Sequence, residues 1–479
     1  MKKILLALIA VLLVGACKKD VTSVNIDPKR PLNVSSASLF TNAQRSFVNT
    51  ITSSNVNLNI FRLIEQHWQE TTYIDESQYD LQTRTIPDNL WNAFYRDVLK
   101  NFKESRSIAA TEGKSAVDLK NQLAITDVME VYTWYYLLTT YGDVPYTEAL
   151  NIDNAFPKYD DGLTAFKELL KRLDVDIAAF DPSSTSLGAA DAIYAGNPQN
   201  WKKLANSLKL KIALTIADAD NLTAKAAVES AVTSGVFVYN AGSPNADNAR
   251  YPFTTITPNT NPIWVDLVQS GRLDFVANNT ITTQMNTLND PRRPFYFTLD
   301  ADGLYSGGNP GESSPYANFS APAVNITKAD FPGSLIDNAE VQFLLAEAAE
   351  RGYTVGGTAG TFYSNAITAS ILDWGGNLAS ATSYLAQPTV AYATATGTWK
   401  QKIGTQKWLA LYNRGLDAWV ENRRLDFPQL PKATDALTDF PVRFTYPVKE
   451  QNVNDVNRAS AAAKIGGDKV TTKLFWDKF

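Results

Sequence analysis

The chain has 479 residues, 44% of them hydrophobic and 19% charged, a composition that is typical of a globular protein and argues against a disordered one. Its formal net charge is −5, from 44 basic and 49 acidic residues without a long run of either sign, which argues against nucleic-acid binding. The chain has one cysteine, which excludes an internal disulfide, so its stability must come from a hydrophobic core.

The first 16 residues have the pattern of a secretory signal peptide. Two lysines precede an apolar run at 4–14, which is too short to cross a bilayer because a spanning helix takes about 20 residues. Gly15 and Ala16 then stand directly before Cys17, as in bacterial lipoprotein signals. We therefore predict a signal peptide at 1–16 and an acylated N-terminus at Cys17. The alternative is an ordinary signal peptide with an incidental cysteine.

The mature chain begins with a polar stretch and continues with helical patterns. Residues 17–31 are polar and lack periodicity, which is typical of a tether between a lipid and a folded body. Beyond it, apolar residues recur at the spacing of one helix face. The clearest stretches are 128–135, 160–180, 341–348 and 408–419. A further helix at 201–219 follows Asn197 and Pro198, a cap residue and a first-turn proline.

Two long regions lack this helical periodicity. Residues 236–335 are rich in Asn, Pro, Gly and Thr, with short strand-like pieces such as Phe295–Leu299, and residues 375–400 are small and polar. Loops of this length in a folded protein are usually functional or disordered, and the many aromatic residues of the first region favour function. We predict that both regions build a ligand-binding face on a helical scaffold.

Six segments in chain order resemble the SusD/RagB family of outer-membrane nutrient-binding lipoproteins of Bacteroidetes, in particular its SusD-like branch. The segments are Asn25-Ile26-Asp27-Pro28, Tyr141-Gly142-Asp143-Val144-Pro145-Tyr146, Asp191–Tyr194 leading into Trp201–Leu208, Glu340–Glu350, Arg423–Pro428 and Arg443–Pro447. The helix-end position of Gly142 and the turn-forming Pro145 favour an architectural role for the second segment.

The resemblance implies a single all-α domain at 32–479, built from tetratricopeptide-like helix pairs with a large irregular loop-rich region that forms the ligand face. It also implies a partner, a SusC-like TonB-dependent transporter over which the lipoprotein acts as a lid. The expected location is the outer membrane, with lipid anchoring and exposure at the cell surface. A periplasm-facing position stays open, because Lys18-Lys19-Asp20 supplies only one acidic residue after Cys17.

The residue types argue against an enzyme. His67 is the only histidine, so paired-histidine metal sites cannot form, and no G-x-S-x-G motif or dinucleotide-binding glycine loop occurs. We predict that His67 is helical and partly buried, and we predict no catalytic residue, metal or cofactor. A glycoside hydrolase needs only two carboxyl groups across a cleft, so a surface glycosidase is a distant alternative.

Binding of an extended neutral oligomer requires aromatic rings for the apolar faces of sugars and polar side chains for their hydroxyl groups. Trp264, Tyr305 and Tyr316 supply the rings in the first loop region, among Asn, Asp and Glu residues. Tyr73 and Tyr79 form a second candidate patch after Trp68. The leading hypothesis is non-catalytic capture of a glycan for import. Peptide capture by the same lid-and-barrel arrangement is the alternative within the binding class, and a purely structural lid is another.

Overall fold

The computed structural model describes residues 34–478 and confirms the all-α class. The predicted signal peptide, Cys17 and the tether lie outside the described residues. The helices are α1 (Ser36–Thr52), α2 (Phe61–Ile64), α3 (Ile86–Asn92), α4 (Lys100–Ala109), α5 (Ala116–Tyr141), α6 (Gly162–Ala179), α7 (Pro198–Thr215), α8 (Asn221–Ser234), α9 (Pro262–Trp264), α10 (Asn279–Thr287), α11 (Arg293–Tyr296), α12 (Asn338–Glu350), α13 (Ala359–Asp373), α14 (Leu378–Leu385), α15 (Trp399–Ala410), α16 (Gly415–Leu425), α17 (Val448–Val453) and α18 (Asp455–Lys464).

Shorter elements complete the secondary structure. A π-helical segment, Ala93–Leu99, joins α3 to α4, and another, Val265–Gln269, continues α9. Two antiparallel two-stranded sheets pair β1 (Trp68–Glu70) with β3 (Phe275–Ala277), and β2 (Arg250–Tyr251) with β4 (Gly333–Ser334). Single 3₁₀ turns lie at Gly188–Ala190 and Tyr316–Asn318.

Consecutive helices pack in pairs, as the resemblance implied. The main pairs are α5 with α6, α7 with α8, and α12 with α13. Local signals in the sequence set their ends: the Asn197 side chain accepts hydrogen bonds from the first turn of α7, where Pro198 occupies the first position. None of the helices in residues 34–478 is long and apolar enough to cross a membrane.

A paired charge network lies in the core where α5, α7, α12 and α16 meet. Lys211 of α7 is fully buried, and its Nζ lies 2.8 Å from Glu340 Oε1. Arg414 lies 2.6 Å from Glu340 and 2.7 Å from Asp417. The attraction of these cations outweighs burial and lowers the pKa of Glu340 to about 2. A buried charge that lost its partner would be strongly destabilising, so these residues have a structural role.

Three local predictions are wrong. The pattern at 408–419 is not one helix, because the chain turns between α15 and α16 at Asn413, where φ is +69°. The region 375–400 contains α14, and Phe295–Leu299 is not a strand, since α11 extends to Tyr296. The first region also contains α9 and α10. Both helices are short, so they produce no long periodic pattern of apolar residues.

Candidate ligand-binding site

Pairing of β1 with β3 brings two distant loop segments together. Immediately after β1, the Thr71 N–H donates to Asp274 O at 2.9 Å and its hydroxyl donates to Leu273 O at 2.8 Å. The segment that follows Thr71 therefore lies beside the segment that precedes β3. The sequence separates these two segments by about 200 residues, so only the fold makes them neighbours.

A cleft of about 480 Å³ lies where these segments meet the end of α1. Its walls come from residues 54–57, from 70–73 with Glu76 and Arg84, and from positions within 265–275. Ligand pockets in proteins are usually of 300–1,000 Å³, so the cleft is large enough for a sugar-sized group. One wall of the cleft, within 265–275, comes from the first region predicted to form the ligand face, and the wall at 70–73 carries Tyr73 of the second candidate patch.

Tyr73 is the most exposed aromatic side chain of the cleft wall, with 70% of its surface accessible to solvent. A tyrosine with an accessible ring offers an apolar face and a polar hydroxyl, the combination that a sugar ring can stack on. Val265 and Leu273, also exposed, add apolar surface to the same walls.

Two other predicted residues lie next to this cleft along the chain. Trp264 is half-buried and directly precedes Val265 and Asp266 of the cleft wall. Tyr316 is 36% exposed and follows Ser314, whose N–H donates to Thr71 O at 3.2 Å. The segments that carry Trp264 and Tyr316 therefore adjoin the cleft, but of the three residues only Tyr73 lines it.

The prediction for Tyr79 is wrong in this structure, and Tyr305 is separate from the cleft. Tyr79 is 3% exposed, and its ring packs edge-on against Phe440 at 6.3 Å, so no face is available for stacking. Tyr305 is half-buried and does not line the cleft. The Arg293 guanidinium lies 5.6 Å from the centre of its ring, which occupies one face.

Charged side chains that the sequence did not single out form the polar part of the cleft. One oxygen of the Glu70 carboxyl group accepts hydrogen bonds from the Ser77 N–H at 2.9 Å and from its hydroxyl at 2.8 Å. Glu76 pairs with Arg84, and Arg272 lies 2.9 Å from Asp274. Charged residues are common in solvated loops, so only the β1–β3 pairing could have identified them as one group.

Glu70 and Glu76 are both buried and their carboxyl groups interact directly. Burial, followed by the negative charge of Glu76, raises the pKa of Glu70 to about 9, so Glu70 is protonated at neutral pH. Burial also raises the pKa of Asp266, although the Ser54 hydroxyl donates to its Oδ2 at 2.9 Å.

The remaining predicted features do not contribute to this cleft. His67 is fully buried in the turn between α2 and β1, not helical, and its ring lies 5.0 Å from that of Trp408. Burial lowers the pKa of His67 to about 3, which keeps the imidazole neutral. No residue of 375–400 lines the cleft; the Tyr363 hydroxyl on α13 donates to Val390 O, which holds that loop against the helices.

A second cavity of about 780 Å³ lies among α4, α5 and α6, with Trp134 and Tyr146 in its wall. Its Arg106 and Arg172 already bind Asp127 and Glu130, at distances from 2.5 to 3.0 Å. The loop-built cleft is the better candidate, since the exposed Tyr73 ring on its wall remains available to a ligand.

Comparison with known proteins gives one family. Residues 28–447 match the SusD-like family model described as "Starch-binding associating with outer membrane". The chain is similar to a solved structure titled "chitin-binding protein", with a TM-score of 0.80, 25% identity and coverage of 93% of this chain and 100% of that chain. It is also similar to a chitin-binding SusD homologue from Flavobacterium johnsoniae, with a TM-score of 0.76, 24% identity and coverage of 92% and 98%.

A Bacteroidetes protein titled as SusD-like matches with a TM-score of 0.80 at 22% identity, over 93% of this chain and 100% of that chain. Among curated proteins there is no significant match.

Proposed function

This chain belongs to the SusD-like family, whose members associate with the outer membrane, and we propose that it captures a glycan there without changing it chemically. The observation that carries the proposal is the exposed Tyr73 ring on the wall of a polar cleft. The family description names starch, and two similar structures are titled chitin-binding, which supports a glycan as the ligand class.

The chemistry of the cleft suits a saccharide. The apolar face of a pyranose ring would lie on Tyr73, while its hydroxyl groups would exchange hydrogen bonds with carboxyl and amide groups of the walls. Asn55 and Asn57, just after α1, and Asp266, which accepts a hydrogen bond from Ser54, supply such groups.

The arrangement of the carboxyl groups favours binding of a glycan without catalysis. A retaining glycosidase holds its two carboxyl groups about 5 Å apart, on either side of the bond to be cleaved, and an inverting enzyme holds them farther apart. Glu70 and Glu76 instead interact directly with each other, which leaves no room for a glycosidic bond between them.

We place the protein at the cell surface with a lipid on Cys17 and a SusC-like TonB-dependent transporter as its partner. A single acyl chain gives only marginal membrane binding, so stable anchoring would require more than one chain on Cys17. Metabolic labelling with a fatty acid, compared between the native chain and Cys17→Ser, tests the anchor directly.

The binding proposal is tested by calorimetry of the purified protein with starch and chitin oligosaccharides. We expect Tyr73→Ala to weaken binding about tenfold, which corresponds to about 1.4 kcal/mol of lost stacking. Phe156→Ala is the matched control, because Phe156 is also an exposed aromatic residue but does not line the cleft. Unchanged affinity in Tyr73→Ala would show that the binding site lies elsewhere. Binding of peptides and of no glycan would establish the peptide alternative.

A further inference from the structure

Two carboxyl groups in the wall of the cleft share a proton. Glu70 and Glu76 are 3% and 1% exposed, and their carboxyl groups are in direct hydrogen-bond contact. The Arg84 guanidinium binds Oε1 of Glu76, so one cation serves two buried carboxyl groups. Two ionised carboxylates in contact would repel each other, and one proton between them removes that repulsion. Glu70 is the protonated member, because burial and the charge of Glu76 raise its pKa to about 9, and its hydroxyl group donates to Glu76.

The other charged groups around this pair have partners of their own. They lie on the chain at 80–84, on the π-helical segment Val265–Gln269, on the residues before β3 and on the loop whose Ser314 N–H donates to Thr71 O. The contacts are Asp80 with Thr83, Asp266 with Ser54, Glu312 with Thr434, and Arg272 with Asp274. The hydrogen bond within the pair therefore depends on the proton of Glu70.

The pair closes the turn that carries Tyr73. Glu70 is the last residue of β1 and is fixed by the pairing of that strand with Phe275 of β3, whereas Glu76 lies in the turn at 71–79. The Ser77 N–H and hydroxyl group also donate to Glu70, at 2.9 and 2.8 Å. The contacts of Glu70 therefore hold the far side of the turn against a fixed strand, and Tyr73 lies between the two.

We propose that Glu70 is a positioning residue for ligand binding, whose protonated carboxyl group closes the turn at 71–79 and so presents the Tyr73 ring to a glycan. The proposal rests on the glycan-binding function proposed above and adds control of the same site by a proton. When Glu70 loses its proton, two carboxylates face each other and the hydrogen bond between them is lost. The turn then opens and Tyr73 leaves the cleft wall. A ligand has to restore the closed turn before it binds, which weakens the apparent affinity.

The test compares the pH dependence of glycan affinity in the native protein and in Glu70→Gln. Calorimetry uses a starch hexamer and a chitin hexamer, which are both neutral, so the charge of the ligand is the same at pH 7 and at pH 9.5. With a pKa of about 9, about a quarter of the native molecules keep the proton of Glu70 at pH 9.5, so we expect the affinity to fall about fourfold. A glutamine amide donates to Glu76 and accepts from Ser77 without titrating, so Glu70→Gln should have the same affinity at both pH values.

Two controls separate this effect from other titrations. Glu104→Gln, the same substitution at an exposed position outside the cleft, should keep the decrease in affinity. Tyr73→Phe, which removes the hydroxyl group of the ring, should keep it as well. An equal decrease in Glu70→Gln, or no decrease in the native protein, would overturn the proposal. A decrease that disappeared in Tyr73→Phe would also overturn it, because the Tyr73 hydroxyl would then be the titrating group.

A second measurement does not depend on the ligand. Chymotrypsin cleaves after Tyr73 more readily once the turn is open, so the ratio of the cleavage rates of the native protein and Glu70→Gln should be higher at pH 9.5 than at pH 7. The ratio cancels the pH dependence of the protease, and thermal unfolding at both pH values checks that each variant folds. If neither hexamer bound and the ratio still rose, the glycan function would fail and the control of the turn by Glu70 would stand. An unchanged ratio would overturn that control even if both hexamers bound.

Discussion

At the scale of single residues, Glu65 shows how the burial of a carboxyl group makes the stability of the fold depend on pH. Glu65 is fully buried, and neither of its carboxylate oxygens accepts a hydrogen bond from a described residue. Burial raises its pKa from 4.5 to about 8, and the charge of Arg423 only partly opposes this shift. The folded chain therefore holds a proton that the unfolded chain releases near pH 4.5.

The sign of the effect follows from proton linkage. Between pH 4.5 and about 8 the folded state binds more protons at Glu65 than the unfolded state, so stability falls as pH rises. We expect Glu65→Gln to stabilise the protein at pH 8 by roughly 4 kcal/mol and to have little effect at pH 4.5. Urea denaturation of both proteins at the two pH values measures this. Glu104→Gln, an exposed position, is the control. If the native protein and Glu65→Gln differed in stability by the same amount at both pH values, Glu65 would be ionised in the folded state.

The residue scale also shows where sequence reasoning stops. Tyr73 and Tyr79 lie six residues apart in one candidate patch, yet Tyr73 is exposed and Tyr79 is buried. The backbone at Tyr79 has a φ of +68°, a reversal that turns its ring towards Phe440. No periodicity predicts such a turn, because it depends on contacts made more than 350 residues away.

At the scale of elements, the sequence predicted helices well and interruptions poorly. The apolar pattern at 160–180 predicted α6 almost to its ends, because Asp161 caps the N-terminus of the helix locally. The apolar pattern at 408–419, in contrast, continues across the turn between α15 and α16. Two long-range features fix that turn: Arg414 binds Asp337 and Glu340, and a Cβ on Gly415 would lie 2.6 Å from Arg62 N.

Gly142 tests the architectural role of the Tyr141–Tyr146 segment. It ends α5 with a φ of +90°, and a Cβ there would lie 2.7 Å from the Cδ2 atom of the buried Leu474. The next residue, Asp143, accepts a hydrogen bond from the Gly162 N–H at the start of α6, at 2.9 Å. The segment therefore joins the end of one helix to the start of its pair.

We expect Gly142→Ala to lower the free energy of unfolding by about 3 kcal/mol, from backbone strain and the displacement of Leu474. The control is Gly113→Ala, which has a similar positive φ of +66° and no atom within 4 Å of the added Cβ, so it should lose only about 1 kcal/mol. Chemical denaturation measures both. Equal losses would show that the contact with Leu474 adds nothing.

At the scale of the whole molecule, one exposed apolar surface is formed by residues that do not line the cleft. It consists of Ile152, Phe156, Val453 and Val456, of which Ile152 is 97% exposed and Val456 84%. The loop and helices that carry it are joined, because the Asn457 side chain donates to Phe156 O at 3.0 Å. Apolar side chains grouped on a surface commonly mark a protein–protein interface.

Because the proposed function needs a transporter as well as a ligand, we expect this surface, not the cleft, to contact the SusC-like partner. Introducing charge with Phe156→Asp and Val456→Asp together should reduce co-purification with the transporter from detergent-solubilised outer membranes at least fivefold. Glycan affinity of the purified protein should be unchanged, since neither residue lines the cleft. Leu222→Asp, at an equally exposed apolar position on α8, is the matched control and should leave co-purification intact. Retained co-purification in the double variant would assign the contact to another surface, and a loss in the control would show that any added surface charge disrupts the complex.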